Sequence, residues 1–110
     1  MNKIYISGQI TGLSPDTCER LFSEAENMLK GFGFEPVNPL KNGLPDNSSW
    51  EQHMGRDIEL LLGCNAIYLL DNWTTSRGAR IELAVAMQIG IVVIDESDFN
   101  THKNECTISF

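Results

Sequence analysis

Two carboxylates in this chain occupy positions where a folded protein does not keep a carboxylate without cause. Asp57 lies seven residues after Trp50, three after Met54 and four before Leu61, so on a helix it shares their apolar face. Glu59 points elsewhere and reads as an ordinary solvated acid. Glu82 has Gly78, Ala79, Val85 and Ala86 as helical neighbours, all small or apolar, which leaves space for something to approach. An inward carboxylate is costly unless it is hydrogen-bonded or paired. Held ionised in a partly dry pocket, it can act as a nucleophile. The helix N-terminus favours ionised Glu82, by about 0.3–1 kcal/mol in exposed cases, and burial opposes it. The plainer alternatives are a structural Asp57, satisfied by backbone donors or by Arg56, Arg77 or Arg80, and a capping or salt-bridged Glu82. Two such acids bordering one crevice favour chemistry.

The elements that must position them follow from periodicity. Lys3-Ile-Tyr-Ile-Ser7 reads as a short buried strand and Gly8-Gln-Ile-Thr-Gly12 as its loop. Ser14-Pro15 starts a helix whose apolar stripe is Cys18, Leu21, Phe22, Ala25, Met28 and Leu29, ended by Gly31 and Gly33. A strand over about 34–38 contains Pro36, which cannot donate to a ladder, so it belongs at a sheet edge. After a loop over about 39–49, a second helix spans about 49–62, with Trp50, Met54, Ile58, Leu61 and Leu62 on its apolar face. Ala66-Ile-Tyr-Leu-Leu70, the helix holding Glu82, and Ile91-Val-Val-Ile94 complete the pattern. The tail from Glu96 is polar until Thr107-Ile-Ser-Phe110, which fits a short last strand or a subunit contact.

This βαβαβαβ order predicts an α/β fold, a flavodoxin-like or Rossmann-like doubly wound parallel sheet of four to five strands with helices on both faces. The edge position of the second strand gives the spatial order 2-1-3-4(-5). The loops after strands one and three, 8–12 and 71–78, then face each other across the switch point, where such sheets bind ligands. The glycines of the first loop permit close backbone approach to a ligand, but the loop is not G-x-G-x-x-G and no Walker lysine is present. Ser76 is either a helix cap or a phosphate ligand together with the amides of Arg77 and Gly78. Trp73 either stacks on a base or packs on its own domain. The Tyr5 hydroxyl either reaches the crevice or satisfies a core bond.

At 110 residues the chain suits one domain, residues 1–110, with a core over about 3–95 and a polar tail over 96–110. Its formal charge of -7 argues against a nucleic-acid polymer as partner, since that affinity rests on Lys and Arg, but leaves room for a single nucleotide. Cys18, Cys64 and Cys106 are scattered, with no CxxC and no His at ligand spacing. Reduced thiols in a cytoplasm are expected, with no metal site; His53 and His102 read as solvated or locally bonded. No signal peptide is visible, and no apolar run approaches the roughly 20 residues of a membrane span. No cofactor is expected.

With these residues in order, the chain resembles the nucleoside 2-deoxyribosyltransferase superfamily, closest to a small bacterial and phage branch described as a domain of unknown function with that fold. The resemblance covers about 3–95. It rests on Ile4-Tyr-Ile-Ser-Gly-Gln-Ile-Thr-Gly12, Arg56-Asp-Ile58, Cys64-Asn-Ala-Ile-Tyr-Leu-Leu70, Ser76-Arg-Gly-Ala-Arg-Ile-Glu-Leu-Ala84 and Gly90-Ile-Val-Val-Ile94. It implies cleavage or transfer at the N-glycosidic bond of a 2′-deoxynucleoside or its 5′-monophosphate. Glu82 would be the nucleophile, Asp57 would protonate or position the leaving base, and Tyr5 would orient the glutamate. Ser7, Gly8, Gln9 and Ile10 would line the deoxyribose or phosphate end, with Trp73, Ser76 and Gly78 on the facing loop. Superfamily relatives are homo-oligomers, which implies a dimer or higher assembly. Ser76 stands where nucleoside-specific members carry an aspartate six residues before the nucleophile, which favours a 5′-phosphorylated substrate. The alternative is a catalytically silent nucleotide or sugar-phosphate binding module on the same fold.

Overall fold

Alternation along the first strand sets the layers. The computed structural model describes residues 2–102; the expectations for Cys106, the His102 side chain and the Thr107–Phe110 end fall outside that description. In β1 (Lys3–Ser7), Ile4 and Ile6 pack on one face of the sheet with Ala66, Tyr68 and Leu70. Tyr5 packs on the other face with Ile67 and Leu69, as period-two side-chain placement requires. The first face is covered by α1 (Pro15–Gly31) through Cys18, Phe22, Ala25 and Leu29. The second is covered by α2 (Trp50–Leu62) and α3 (Arg77–Ile89), through Leu61 and Ala86.

The sheet has the order β2-β1-β3-β4, all parallel, with β2 at Glu35–Val37, β3 at Ala66–Leu69 and β4 at Val92–Asp95. Pro36 lies in the edge strand opposite Ile4, where its missing N–H breaks no ladder. Both long helices before the site begin as their sequences dictate. Ser14 accepts a hydrogen bond from Thr17 N at 3.2 Å. Ser49 and Gln52 form a reciprocal capping box.

One expectation gains detail and one needs correction. Within the polar tail, Glu96–His102 forms a fourth helix, α4, whose Phe99 is buried against α1's face of the sheet. Its ring meets Phe32 and Tyr68 edge-on at 5.5 and 6.0 Å. Leu62, expected on the apolar face of α2, is 55% exposed; one step beyond Leu61 turns it by about 100° out of the core. Among the described residues, no helix is long and apolar enough to cross a membrane.

Candidate active site

Tyr5 and Ser7 lie two residues apart on β1, so both hydroxyls rise from the face that α3 covers. Above them is Glu82. Tyr5 Oη donates to Glu82 Oε2 at 2.8 Å, and Ser7 Oγ donates to Oε1 at 2.7 Å. All three are buried, Glu82 at 5% exposure. The ion pairs among the described residues are Arg20–Glu24, Lys41–Glu26 and Arg56–Glu59, so Glu82 is held by hydroxyls and not by a cation. Burial pushes its carboxyl up to about 7, against the two hydroxyl bonds that favour the ionised form; the nearby Asp57 charge pushes the same way as burial. The sixth residue of α3 is past the first turn, where the helix dipole fades, so burial wins over the N-terminal effect. Ser7→Ala removes a donor to the carboxylate. It is expected to move the Glu82 titration upward by roughly one pH unit, read by carbon-13 NMR of the side-chain carboxyl.

Asp57, on the buried side of α2, is satisfied by a residue the sequence did not single out. Asn42 Nδ2 donates to Asp57 Oδ1 at 2.9 Å and lies 3.0 Å from His53 Nδ1. None of the three arginines proposed for Asp57 takes that place. Arg56 pairs with Glu59 and donates through Nε to the Asn42 carbonyl at 3.1 Å. Arg77 lies over the Trp50 ring at 4.1 Å, and Arg80 Nε reaches the Ser76 carbonyl at 3.4 Å. Burial raises the Asp57 carboxyl above its ordinary range, opposed by the Asn42 bond and by the Arg56 charge. An acid so placed is suited to delivering a proton.

Both carboxylates face one cavity of about 790 Å³, a volume that suits a nucleotide-sized ligand. Its floor is Glu82 and Ala79, and one side is the first turns of α2 and α3 with Trp50, His53, Met54, Ser76 and Arg77. The segment after β2 also lines it, with Pro39, Leu40, Asn42 and Leu44. Two glycines permit this closeness. A Cβ on Gly78 would stand 3.1 Å from Met54 Sδ, where α3 approaches α2. A Cβ on Gly8 would stand 2.7 Å from Leu70 Cδ1 and 3.0 Å from Asn72 Oδ1. Gly8→Ala is therefore expected to lower stability by about 1–3 kcal/mol, measured as a drop in thermal midpoint.

Residues 2–95 match the family described as a domain of unknown function, DUF4406. The chain belongs to the DUF4406 family. No curated protein matches it. The DUF4406 chain is also similar to the solved structure of a 2-desoxiribosyltransferase from Leishmania mexicana, with a TM-score of 0.68 and 22% identity over 86% of its own length. It spans 63% of the length of that structure. The likeness is one of fold: a four-stranded parallel sheet in the order 2-1-3-4 between helices.

Within the DUF4406 domain, Glu82, Asp57, Gly8, Ile10, Ser76 and Gly78 border the cavity. Tyr5 and Ser7 are not among the residues lining it; both are buried and donate to Glu82. Gln9 is occupied in joining the two loops: its N–H donates to Asn72 Oδ1 at 2.9 Å, and its side chain accepts from Thr75 Oγ1 at 3.3 Å. Trp73, in a single 3-10 turn, packs on the α2 and α3 side of the core, and the cavity's tryptophan is Trp50. Ser76 caps α3 by accepting from Ala79 N at 3.1 Å, while also bordering the cavity. Asn42 and Asn72 were not singled out, because their loop hydrogen bonds leave no periodic trace. His53, read as solvated or locally bonded, lies 3.0 Å from Asn42 Nδ2 through its Nδ1.

Proposed function

We propose that this domain cleaves the N-glycosidic bond of a 2′-deoxynucleoside or its 5′-monophosphate, with Glu82 as nucleophile. The observation that carries this reading is the placement of Glu82: buried, aimed by two hydroxyls, without a cation, and sharing a cavity with a second acid. Each carboxylate oxygen accepts one hydroxyl and keeps lone pairs for attack. In the proposed step Glu82 attacks C1′ through an oxocarbenium-like state, and the electron pair of the C1′–N bond leaves with the base. Asp57 gives its proton to a ring nitrogen of that base. A glycosyl ester on Glu82 remains, to be resolved by water or by a second base.

The substrate's 5′-phosphate is proposed to lie at the start of α3. Ser76 accepts the Ala79 N–H, so the amides of Arg77 and Gly78 are left without partners among the described residues and suit an anion. A homo-oligomer and a reducing cytoplasmic setting belong to the same proposal. The exposed apolar side chains Leu62, Met87 and Val93 support the first, and the buried free thiols Cys18 and Cys64 support the second. The test is release of free base from the four deoxynucleosides, each with and without its 5′-phosphate. Release that depends on Glu82 supports the reading. No release from any of the eight, with binding intact, would leave a nucleotide-binding module instead.

A further inference from the structure

The hydrogen bonds of Asn42 decide which nitrogen of a neutral His53 carries the proton. Leu44 N donates to Asn42 Oδ1 at 3.0 Å, and a backbone N–H can only donate, so this end of the carboxamide is its oxygen. The NH₂ end then faces α2, with Asp57 Oδ1 at 2.9 Å and His53 Nδ1 at 3.0 Å. Turning the amide over would set N–H against N–H at Leu44 and oxygen against carboxylate at Asp57. Since Asn42 Nδ2 donates, His53 Nδ1 accepts, and the neutral ring carries its proton on Nε2. His53 borders the cavity one helical turn before Asp57, on the same side of α2. Its Nε2 has no partner among the described residues.

We propose that His53 selects the leaving base, donating from Nε2 to an oxo group next to the ring nitrogen that Asp57 protonates. Asn42 is the positioning residue that fixes both side chains. A 6-oxopurine fits, because N7 and O6 are adjacent acceptors on one edge. A 6-aminopurine offers N7 but sets an amino N–H against the His53 N–H. This proposal rests on the glycosidic-bond reading above. As the C1′–N9 bond breaks, its electron pair passes to the base, the Asp57 proton goes to N7, and His53 keeps its own proton. The apolar contacts to the ring come from Leu40 and Leu44 on the segment after β2.

The test compares kcat/KM for 2′-deoxyguanosine and 2′-deoxyadenosine 5′-monophosphates, alongside calorimetric binding of both to the unreactive Glu82→Gln protein. The guanine nucleotide is expected to be favoured about tenfold or more. His53→Phe and Asn42→Ala should lose the preference. Nitrogen-15 NMR of His53 should show the Nε2–H form, and Asn42→Ala should remove that bias, which a merely structural role for Asn42 would not predict. Equal use of the two nucleotides, an unchanged ratio in His53→Phe, or an Nδ1–H ring would overturn the proposal. If neither nucleotide releases base, the glycosidic reading fails and calorimetry decides this one. A guanine preference that needs His53 supports base selection; equal binding, or none, overturns it.

Discussion

Glu82→Gln is expected to lower free-base release at least about a thousand-fold, and at pH 8 to raise the stability of the fold. Glutamine preserves the shape of the side chain and can still meet both hydroxyls, but it cannot form the glycosyl ester. KM should move far less than kcat, because the bond lost is made only in the reaction. The stability gain has a definite sign. The carboxyl titrates at about 7 in the native protein against an ordinary 4.5. Between these values the folded chain keeps a proton that the unfolded chain has released, so stability falls as pH rises through that window. At 5% exposure little solvent screening applies, and the cost is on the order of 3 kcal/mol above pH 7. The glutamine variant should escape it, with a denaturant midpoint that exceeds wild type at pH 8 and converges on it at pH 4. A variant that released base at the wild-type rate would exclude Glu82 as nucleophile.

Much of this arrangement was legible in the sequence, for reasons that also mark where legibility ends. Apolar runs bounded by turn residues gave the four strands, and a single proline gave the edge, because both are local consequences of backbone chemistry. The inward position of Asp57 followed from helical spacing with Trp50, Met54 and Leu61. Ser7 shows a signal present but read differently: two residues from Tyr5, it shares that side chain's face and so its carboxylate. Trp50, on the first turn of α2, lines the cavity, and Trp73, within its own 3-10 turn, packs on its domain, the plainer of its two readings. The α4 helix rests on one buried aromatic, Phe99, and one residue has no period. Asn42 reaches Asp57 and His53 across irregular chain, which no local pattern encodes.

Asp57→Asn is expected to reduce kcat by about 10²–10⁴ for natural purine nucleotides, the range for losing a positioned proton donor. Asparagine can still accept from Asn42 through its oxygen, so the helix and the segment after β2 should stay in place and the thermal midpoint should change little. The effect should depend on the leaving group. A nucleotide of 7-methylguanine already carries positive charge on its base and needs no proton to depart. For that substrate the variant should lie within a few-fold of wild type. An equal loss on both substrates would show that Asp57 supports the architecture and does not deliver a proton.

Consecutive residues after β2 are tied to opposite layers of the sandwich. Lys41 pairs with the buried Glu26 of α1 at 2.9 Å, and Asn42 holds α2 through Asp57 and His53. This short belt around the sheet's edge holds both His53, proposed to recognise the base, and Asp57, proposed to protonate it, while Glu82, Tyr5 and Ser7 ride on the sheet and α3. In the proposed reaction, base recognition and protonation of the leaving group therefore share one anchor, Asn42, and attack on the sugar uses another. A change in the belt should therefore alter base preference and protonation together, while leaving the setting of Glu82 intact.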